Sequence, residues 1–581
     1  MNILGLSYIR DGGHDNSVTL IKDGKLIFAE AAERATRKKH DGDFPLKTIE
    51  QAFTRNGLTW QDIDYIAIAS PPLKSYSFLF ERNFLDPITT FLYLLLNENK
   101  TIIKKLYLRI SRDVEAFFSP LPARNVLANC GVDLKKINLI GHHQAHAASA
   151  YRTSPFQECL SVTLDGLGIN AQGKMLSGEV YLCKEGFMTL VEEIPAFASF
   201  GSFYSGITEG LGFKAGNDEG KIMGLAAYGN PKECFHHISP YAPRFLEGKF
   251  YQSSLWIDEI VMPYFKNIRF AKYLKMLAKK FSKEDIAAAT QKVLETQVNG
   301  LIEYLLKKYH QKYLVLSGGV FFNIKLNKIL LSNKYVKDIY VQPFASDGGV
   351  SMGAALEVLF QKNGKTNGSY LCSADLGTSY TEKEILDVLN KNKSQITFEK
   401  MEKIARTTAE RICQGKVIGW FQGKAEWGPR ALGHRSILAD PRVSENRKRI
   451  NNILKRREWF MPFAPSILKE FASEYLENIT DSPFMKFSDT VKKGKRGLIP
   501  AVVHIDGTAR PHIVERERQP LYHSLLTEFY GITGIPLLLN TSFNRHGLPI
   551  VHTPQDGIDH LLWKCVDELV IGPFLVKRKK E

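Results

Sequence analysis

Cysteine is scarce in this chain, with seven in 581 residues. Cys130, Cys159, Cys183, Cys234, Cys372, Cys413 and Cys565 are odd in number and widely scattered, and no two form a C-x-x-C pair. That pattern excludes a disulfide framework and a cysteine-built metal site, and buried thiols are expected instead. Long hydrophobic runs are missing too. The longest, PITTFLYLLL from Pro87 to Leu96, is about half of the roughly 20 residues that cross a bilayer. Asp11, Asp15 and Asp23 interrupt the amino terminus before a signal-peptide pattern can form. Neither a membrane span nor secretion is expected, and the protein reads as cytoplasmic. With 44% hydrophobic and 24% charged residues, disorder is excluded for most of the chain. Acidic residues are outnumbered by basic ones, leaving a formal net charge of +16. The excess implies a partner carrying phosphate or another anion, polymeric or small.

What is present reads as an α/β protein of more than one domain. NILGLS and SVTLIK are strands, and Asp23-Gly24 turns the chain into a third, LIFAEAAER. A helix is expected from Phe44 to Asn56, then a strand at DYIAIAS. The stretch from Leu73 to Asn125 has the look of an insertion. Helical spacing from Asp285 to Tyr309 runs into a buried strand, YLVLSGGV, and a second helix, FFNIKLNKIL. The Asn-, Gly-, Lys- and Ser-bearing stretch from Gln361 to Ser379 is the candidate boundary, giving domains of 1–365 and 366–581.

Three sets of residues could carry chemistry. In GHHQAHAASAY, His142 and His146 stand four apart among helix formers and project from one helical face. Asp165 and Asp347 each follow a strand-like run and precede glycine, completing a His2Asp2 set suited to Fe(II), Mn(II) or Zn(II) better than to Mg(II). On its own an H-x-x-x-H pair is more often structural. The second set is glycine-rich turns that let backbone N–H groups approach phosphate: Gly318-Gly319 with Asn323 one turn into the next helix, and Lys221 between Gly220 and Gly224. The third lies beyond the boundary. WGPRALGHRSILADPR offers Arg430 and Arg435, and KRREW offers Lys455, Arg456 and Arg457. Read as a strand, VHIDGTAR points His504, Asp506, Thr508 and Arg510 to one face, and IPLLLNTSFN breaks into Asn540, Ser542 and Asn544. Arg binds phosphate or carbamoyl oxygens bidentately, and Asn and Ser can hold a planar amide. Lys492 to Arg496 reads as a solvated face.

These motifs resemble the NodU/CmcH-type O-carbamoyltransferases, the family that includes the tobramycin and cephamycin carbamoylating enzymes. The resemblance rests on GHDNS, ERATRKKHD, HHQAHA, LDGLG, EGKIMGLAAYG, LSGGVFFN, ASDGG, GPRALGHRSIL, PFAPSIL, HIDGTAR and LLLNTSFN, in that order over nearly the whole chain. It implies an amino-terminal domain with the actin-like ASKHA fold, similar to tRNA threonylcarbamoyl-transfer enzymes, and a carboxy-terminal YrdC-like α/β domain. The reaction it implies makes carbamoyladenylate from carbamoyl phosphate and ATP, with Mg, then passes the carbamoyl group to a hydroxyl of a saccharide or secondary metabolite and releases AMP.

By the same resemblance, Arg430, Arg510, Asn540 and Ser542 match positions that hold carbamoyl phosphate and ATP phosphates, with Lys455 and Arg457 as weaker candidates. His142, His146, Asp165 and Asp347 match metal ligands, with iron the expected ion, and Gly318, Gly319 and Asn323 match the adenosine-binding turn, beside Lys221. Lys39 matches a position that neutralises phosphate, and Arg510 and His14 complete the catalytic set, His14 as the base that takes the acceptor's proton. Met461 and His512 depart from the family pattern, where arginine and glutamine are common. A homodimer is compatible with the resemblance. Two other readings compete: a tRNA-modifying enzyme, favoured by the positive charge, and a non-catalytic actin-like nucleotide-binding scaffold. Both domains in one chain with these motifs argue against nucleic acid as the substrate.

Overall fold

The computed structural model describes residues 1–8, 15–70, 120–251, 273–364, 370–480 and 483–579. The chain forms two compact units, Met1–Ala32 with His40–Tyr370, and Glu33–Lys39 with Leu371–Glu581. The sequence suggested a single cut after residue 365. The Glu33–Lys39 segment departs from it because its arginines bond to the second unit. Arg34 donates to the Gly428 carbonyl at 2.9 Å, Arg37 donates to the Ile550 and Pro549 carbonyls at 2.7 and 3.1 Å, and Arg37 pairs with Asp556 at 3.2 Å.

The first unit contains one topology twice. Ile3–Ser7 pairs antiparallel with Ser17–Lys22, which pairs antiparallel with Lys25–Ala31; Tyr65–Ala69 runs parallel to Ile3–Ser7, and Ile137–Ile140 parallel to Tyr65–Ala69. In the second half Glu158–Thr163 pairs antiparallel with Met175–Lys184, which pairs antiparallel with Phe187–Pro195; Tyr313–Ser317 runs parallel to Glu158–Thr163, and Asp338–Val341 parallel to Tyr313–Ser317. Counting these five strands along the chain, both halves have the order third, second, first, fourth, fifth.

Period-two alternation explains how the first sheet is covered on both sides. Leu4, Leu6, Val18, Leu20, Ile66 and Ile68 form one face and pack with Ile49 and Phe53 of the helix Leu46–Asn56. The alternate residues Gly5 and Thr19 meet the helix Val350–Asn363: the Thr19 and Ser351 hydroxyls are 2.9 Å apart, and a Cβ on Gly5 would stand 2.2 Å from the Ser351 carbonyl oxygen. That helix also crosses His142–Tyr151 at Gly353, where a Cβ would lie 1.8 Å from the Ala145 carbonyl oxygen. Each of these two helices follows the fifth strand of its half, so their close crossing brings the ends of those strands together.

The second unit is built on an eight-stranded mixed sheet in the order Ile396–Lys400, Phe574–Arg578, Glu568–Ile571, Ile418–Phe421, Arg435–Ala439, Leu537–Ser542, Ala464–Leu468, His512–Val514. Trp420, Leu438, Leu538 and Val570 share one face by register and pack with Leu525, Leu526 and Phe529 of the helix Pro520–Thr533. A two-stranded ribbon, Asp489–Thr490 with Thr508–Ala509, precedes Arg510.

Two expectations change. His504 to Thr508 is a tight turn and not a strand: the His504 N–H donates to the Thr508 carbonyl at 2.7 Å, Asp506 accepts from the Thr508 N–H at 3.1 Å, and Gly507 has φ +79°. The Asp-Gly pair sets this turn, overriding the alternation that suggested a strand. Four of the seven thiols are buried, but Cys372 is exposed and Cys130 and Cys413 are half-buried. Of the Leu73 to Asn125 stretch, residues up to 119 lie outside the described residues, and its end belongs to the helix Pro120–Asn129. Among the described residues, no helix is long and apolar enough to cross a membrane.

Gly353→Ala is expected to destabilise the first unit by about 1–3 kcal/mol through overpacking. Gly300→Ala, inside the helix Lys283–Lys308 with open space at the Cβ position, leaves stability unchanged or raised. Calorimetric unfolding of the two variants checks this, and equal transitions contradict the crossing described.

Candidate active site

In the first unit, His142 and His146 lie one helical turn apart at the start of His142–Tyr151, and both are buried. Asp165 follows the strand Glu158–Thr163, and Asp347 opens the turn before Val350–Asn363. One ligand atom from each of the four lies within 4.8 Å of the others. His146 Nε2 is 3.1 Å from Asp165 Oδ2 and 3.4 Å from Asp347 Oδ1; His142 Nε2 is 3.4 and 3.7 Å from the same atoms. The other sides of these groups are held. His146 Nδ1 is 3.1 Å from the Ser317 hydroxyl, and Asp165 Oδ1 accepts from the Gly166 and Gly319 N–H groups at 2.8 and 3.2 Å.

The electrostatics favour positive charge at this set. Burial opposes the charge on His146, but its hydrogen bonds to the Asp165 and Asp347 carboxylates and their charges outweigh it and raise its pKa to about 9. Burial likewise raises Asp165, yet the hydrogen bonds from His142 and His146 hold it well below the usual carboxylate range. Two imidazole nitrogens and two carboxylates in a buried cluster fit a divalent transition ion, whose charge would replace the proton on His146. The neighbouring His143, lowered to about 3 by burial and by the charges of His142 and His146, is 3.2 Å from the Leu176 carbonyl through Nε2 and takes no part in the set.

The Gly318-Gly319 turn borders this set. Gly318 has φ +100°, and a Cβ there would lie 2.1 Å from the Leu164 carbonyl oxygen, so only glycine fits. Asn323 is the N-cap of the helix Ile324–Leu331 and not a residue one turn inside it. Its amide accepts from the Leu326 N–H at 3.0 Å and is paired with Gln291. Lys221 does not stand in a glycine turn. It is buried in the helix Glu219–Leu225, 3.2 Å from Asp218, because Ile222 and Leu225 bury one face and outweigh the two glycines. His14 lies outside the described residues.

The second unit gathers cations. Arg430 is lowered to about 10 by burial; Arg510 is held well below its ordinary value by burial and then by the charges of Arg430 and Arg457. Arg457 is held at about 10 by burial against the opposing charge of Glu458. Lys455 is depressed by burial, Arg457 and Lys39, although Lys39 itself is exposed. Several of these groups are anchored. Lys455 Nζ donates to the Ser542 carbonyl, the Ser542 hydroxyl and Asn544 Oδ1 at 2.5, 3.1 and 2.8 Å, and Arg457 donates to Asn451 Oδ1 at 2.6 Å and to the Pro462 carbonyl at 3.2 Å. Asn540 is buried in its strand, donating to the Ala431 carbonyl and the Ser466 hydroxyl, with Oδ1 unbonded.

Sequence reasoning missed two residues and misjudged one. Lys486 is 2% exposed and depressed by burial, Arg430 and Arg510, which adds it to the same cluster; a lysine between Met485 and Phe487 was the available signal. Glu426 accepts N–H groups of Leu432, His434 and Arg435 at 2.9, 2.9 and 2.8 Å and so folds the loop that carries Arg430. Arg435 is structural: fully buried, it lies 3.6 Å over the Phe421 ring and donates to the Gln422, Gly423 and Thr378 carbonyls. His512 is neutral, lowered to about 3 by burial, and lies 3.0 Å from the Ser466 hydroxyl through Nδ1; the Met461 carbonyl accepts from Asn451 at 3.0 Å.

The chain matches two family models, carbamoyltransferase N-terminus over residues 2–356 and carbamoyltransferase C-terminus over residues 409–578. Nodulation protein NolNO of Sinorhizobium fredii is 33% identical over 577 residues, covering 97% of this chain and 79% of that protein. An uncharacterized protein of Methanocaldococcus jannaschii is 33% identical over the full length of both chains. Among solved structures, full-length HypF in its phosphate- and nucleotide-bound form has 15% identity and a TM-score of 0.31, covering 63% of this chain and 56% of that one.

The cationic cluster predicts a measurable response to anions and to pH. Inorganic pyrophosphate is expected to raise the melting temperature of the wild type, by the equivalent of about 2.7 kcal/mol at a hundredfold excess over Kd. Arg510→Ala should lose most of that gain. Lys455 and Lys486 titrate lower folded than unfolded. The unfolded chain therefore binds more protons between those depressed values and about 10.4, and anion-free stability rises with pH across that window. Lys486→Met is expected to stabilise the anion-free protein at neutral pH and to flatten the rise, as read by thermal unfolding across pH.

Proposed function

The chain belongs to the carbamoyltransferase family, and from that premise we propose that it is an ATP-dependent O-carbamoyltransferase working through carbamoyladenylate. The observation that carries this reading is the gathering of Arg430, Lys455, Arg457, Lys486 and Arg510, all disfavoured as charges by burial, with Lys455, Lys486 and Arg510 lowered also by neighbouring cations. Such a cluster suits a ligand with several negative charges, as carbamoyl phosphate and a nucleoside triphosphate have. The twice-repeated strand order supports an actin-like ASKHA unit. The second unit, with its mixed sheet and cationic site, is read as the YrdC-like domain.

In the second unit, water cleaves carbamoyl phosphate to carbamate and phosphate. A carbamate oxygen then attacks the α-phosphorus of ATP, forming carbamoyladenylate and releasing pyrophosphate. Arg430 and Arg510 hold phosphate oxygens there and stabilise charge that moves onto the leaving pyrophosphate. Lys455 positions Ser542 and Asn544 through its three hydrogen bonds. In the first unit the Gly318-Gly319 turn receives the adenylate, and the acceptor hydroxyl attacks the carbamoyl carbon as AMP departs. His14 takes the proton of that hydroxyl, and Lys39 offsets phosphate charge. A divalent ion held by His142, His146, Asp165 and Asp347, with iron the expected metal, supplies Lewis acidity when bound. The acceptor class is a hydroxyl-bearing saccharide or secondary metabolite.

Purified protein given ATP, carbamoyl phosphate, Mg(II) and Fe(II) or Mn(II) is expected to release pyrophosphate and form carbamoyladenylate. Arg510→Ala should lower pyrophosphate release at least about 100-fold. His142→Ala should retain it and lose AMP release driven by an acceptor. No pyrophosphate from folded, metal-loaded wild type contradicts the reading.

A further inference from the structure

A chain of hydrogen bonds in the first unit ends beside Asp347 and is used by none of the steps above. Asn217 Oδ1 is 2.6 Å from His40 Nε2, His40 Nδ1 is 3.1 Å from Asp15 Oδ1, and Asp15 Oδ2 accepts from the Ser346 hydroxyl at 2.9 Å. Two residues beyond Asp15, the Ser17 hydroxyl donates to the Gly348 carbonyl at 2.7 Å and lies 2.8 Å from the Ser351 hydroxyl. The Asp15 to Ser17 segment therefore fixes the residues on both sides of Asp347. At its far end the chain continues: the Asn217 amide donates to Asp218 at 3.2 Å, and Asp218 is 3.2 Å from Lys221.

Two features mark this arrangement as more than surface bonding. Asp15 and His40 both have left-handed backbone, φ +70° and +55°, which neither glycine nor asparagine relieves here. Residues other than glycine persist in that region when surrounding contacts over-determine them. The contacts also connect segments far apart in sequence, separated by 177 residues at Asn217–His40 and 331 at Ser346–Asp15, so no local turn requirement accounts for them.

We propose that the Asn217–His40–Asp15–Ser346 chain is the outer support of the metal set, with His40 and Asp15 as positioning residues that hold Asp347 in its ligating position. The inference rests on the metal reading given above. Residues that orient metal ligands commonly matter about 10–100-fold in metal affinity, and Asp347 has no backbone N–H clamp among the described contacts comparable to that on Asp165. His40 aligns the Asp15 carboxylate, Asp15 anchors Ser346, and Ser346 sets the peptide from which Asp347 projects.

The test is titration of metal-free, full-length protein with Mn(II), read by the loss of the free-ion EPR signal, and with Co(II), read by its visible d–d bands. Ser346→Ala, His40→Gln and the double variant are compared with wild type. Each single substitution is expected to weaken Mn(II) about 10-fold or more and to change the Co(II) bands. The double variant should match the weaker single within about threefold, because both act through one chain. Asp15→Asn, which keeps an acceptor for Ser346, should retain more affinity than Asp15→Ala. Ser346→Ala removes one hydroxyl only, so a folded variant is available even where His40→Gln is unstable. Wild-type affinity and spectrum in Ser346→Ala, or additive losses in the double variant, would overturn the inference. Wild type that takes up neither ion overturns the metal reading itself, and this inference with it.

Discussion

Like charges buried side by side are the constraint on which both units turn. Removing charges from water is costly, and placing several of one sign together multiplies the cost unless an opposite charge arrives. In the first unit Asp165 and Asp347 face the same two imidazoles, and the protein without metal answers by keeping His146 protonated far above its ordinary range. In the second unit burial lowers all five cations, and beyond it Arg430 and Arg457 depress Arg510, Arg430 and Arg510 depress Lys486, and Arg457 depresses Lys455. On the proposed reading, one site takes a cation and the other a polyanion. The proposed transfer of a carbamoyl group from a phosphate donor to a hydroxyl would use both.

These costly clusters are held by ordinary packing. In the first unit, the crossing of His142–Tyr151 with Val350–Asn363 at Gly353 is close enough to exclude any side chain there. Because each helix follows the fifth strand of its half, that one crossing brings the histidines to Asp347. Asp165 is delivered by the first strand of the second half and clamped by two backbone N–H groups. In the second unit, Glu426 gathers three N–H groups and Arg435 caps carbonyls over Phe421, so the loop bearing Arg430 is held by its own buried contacts. Preorganised donors of this kind lose little on binding.

Much of this was legible because motif residues are short-range. The four-residue spacing of His142 and His146 requires only a helix, and Asp165 and Asp347 each follow a strand, as their apolar runs indicated. Where local signals competed, the weaker one was followed. Asp506-Gly507 is a turn signal that outranks alternation, and Ile222 with Leu225 outranks two glycines around Lys221. What was not legible depends on contacts between distant segments. Nothing near Glu33–Lys39 announces that Arg34 and Arg37 bond carbonyls at Gly428, Pro549 and Ile550. Nothing near His40 announces Asn217 or Asp15, and Lys486 joins the cationic cluster only through tertiary packing.

The central claim is that the cationic site joins carbamate to the α-phosphate of ATP. Exchange of labelled pyrophosphate into ATP measures that bond directly, because label returns only if the adenylate forms reversibly. The account predicts exchange that requires carbamoyl phosphate and needs no acceptor. Exchange independent of carbamoyl phosphate, or none with folded, metal-loaded protein, would contradict it.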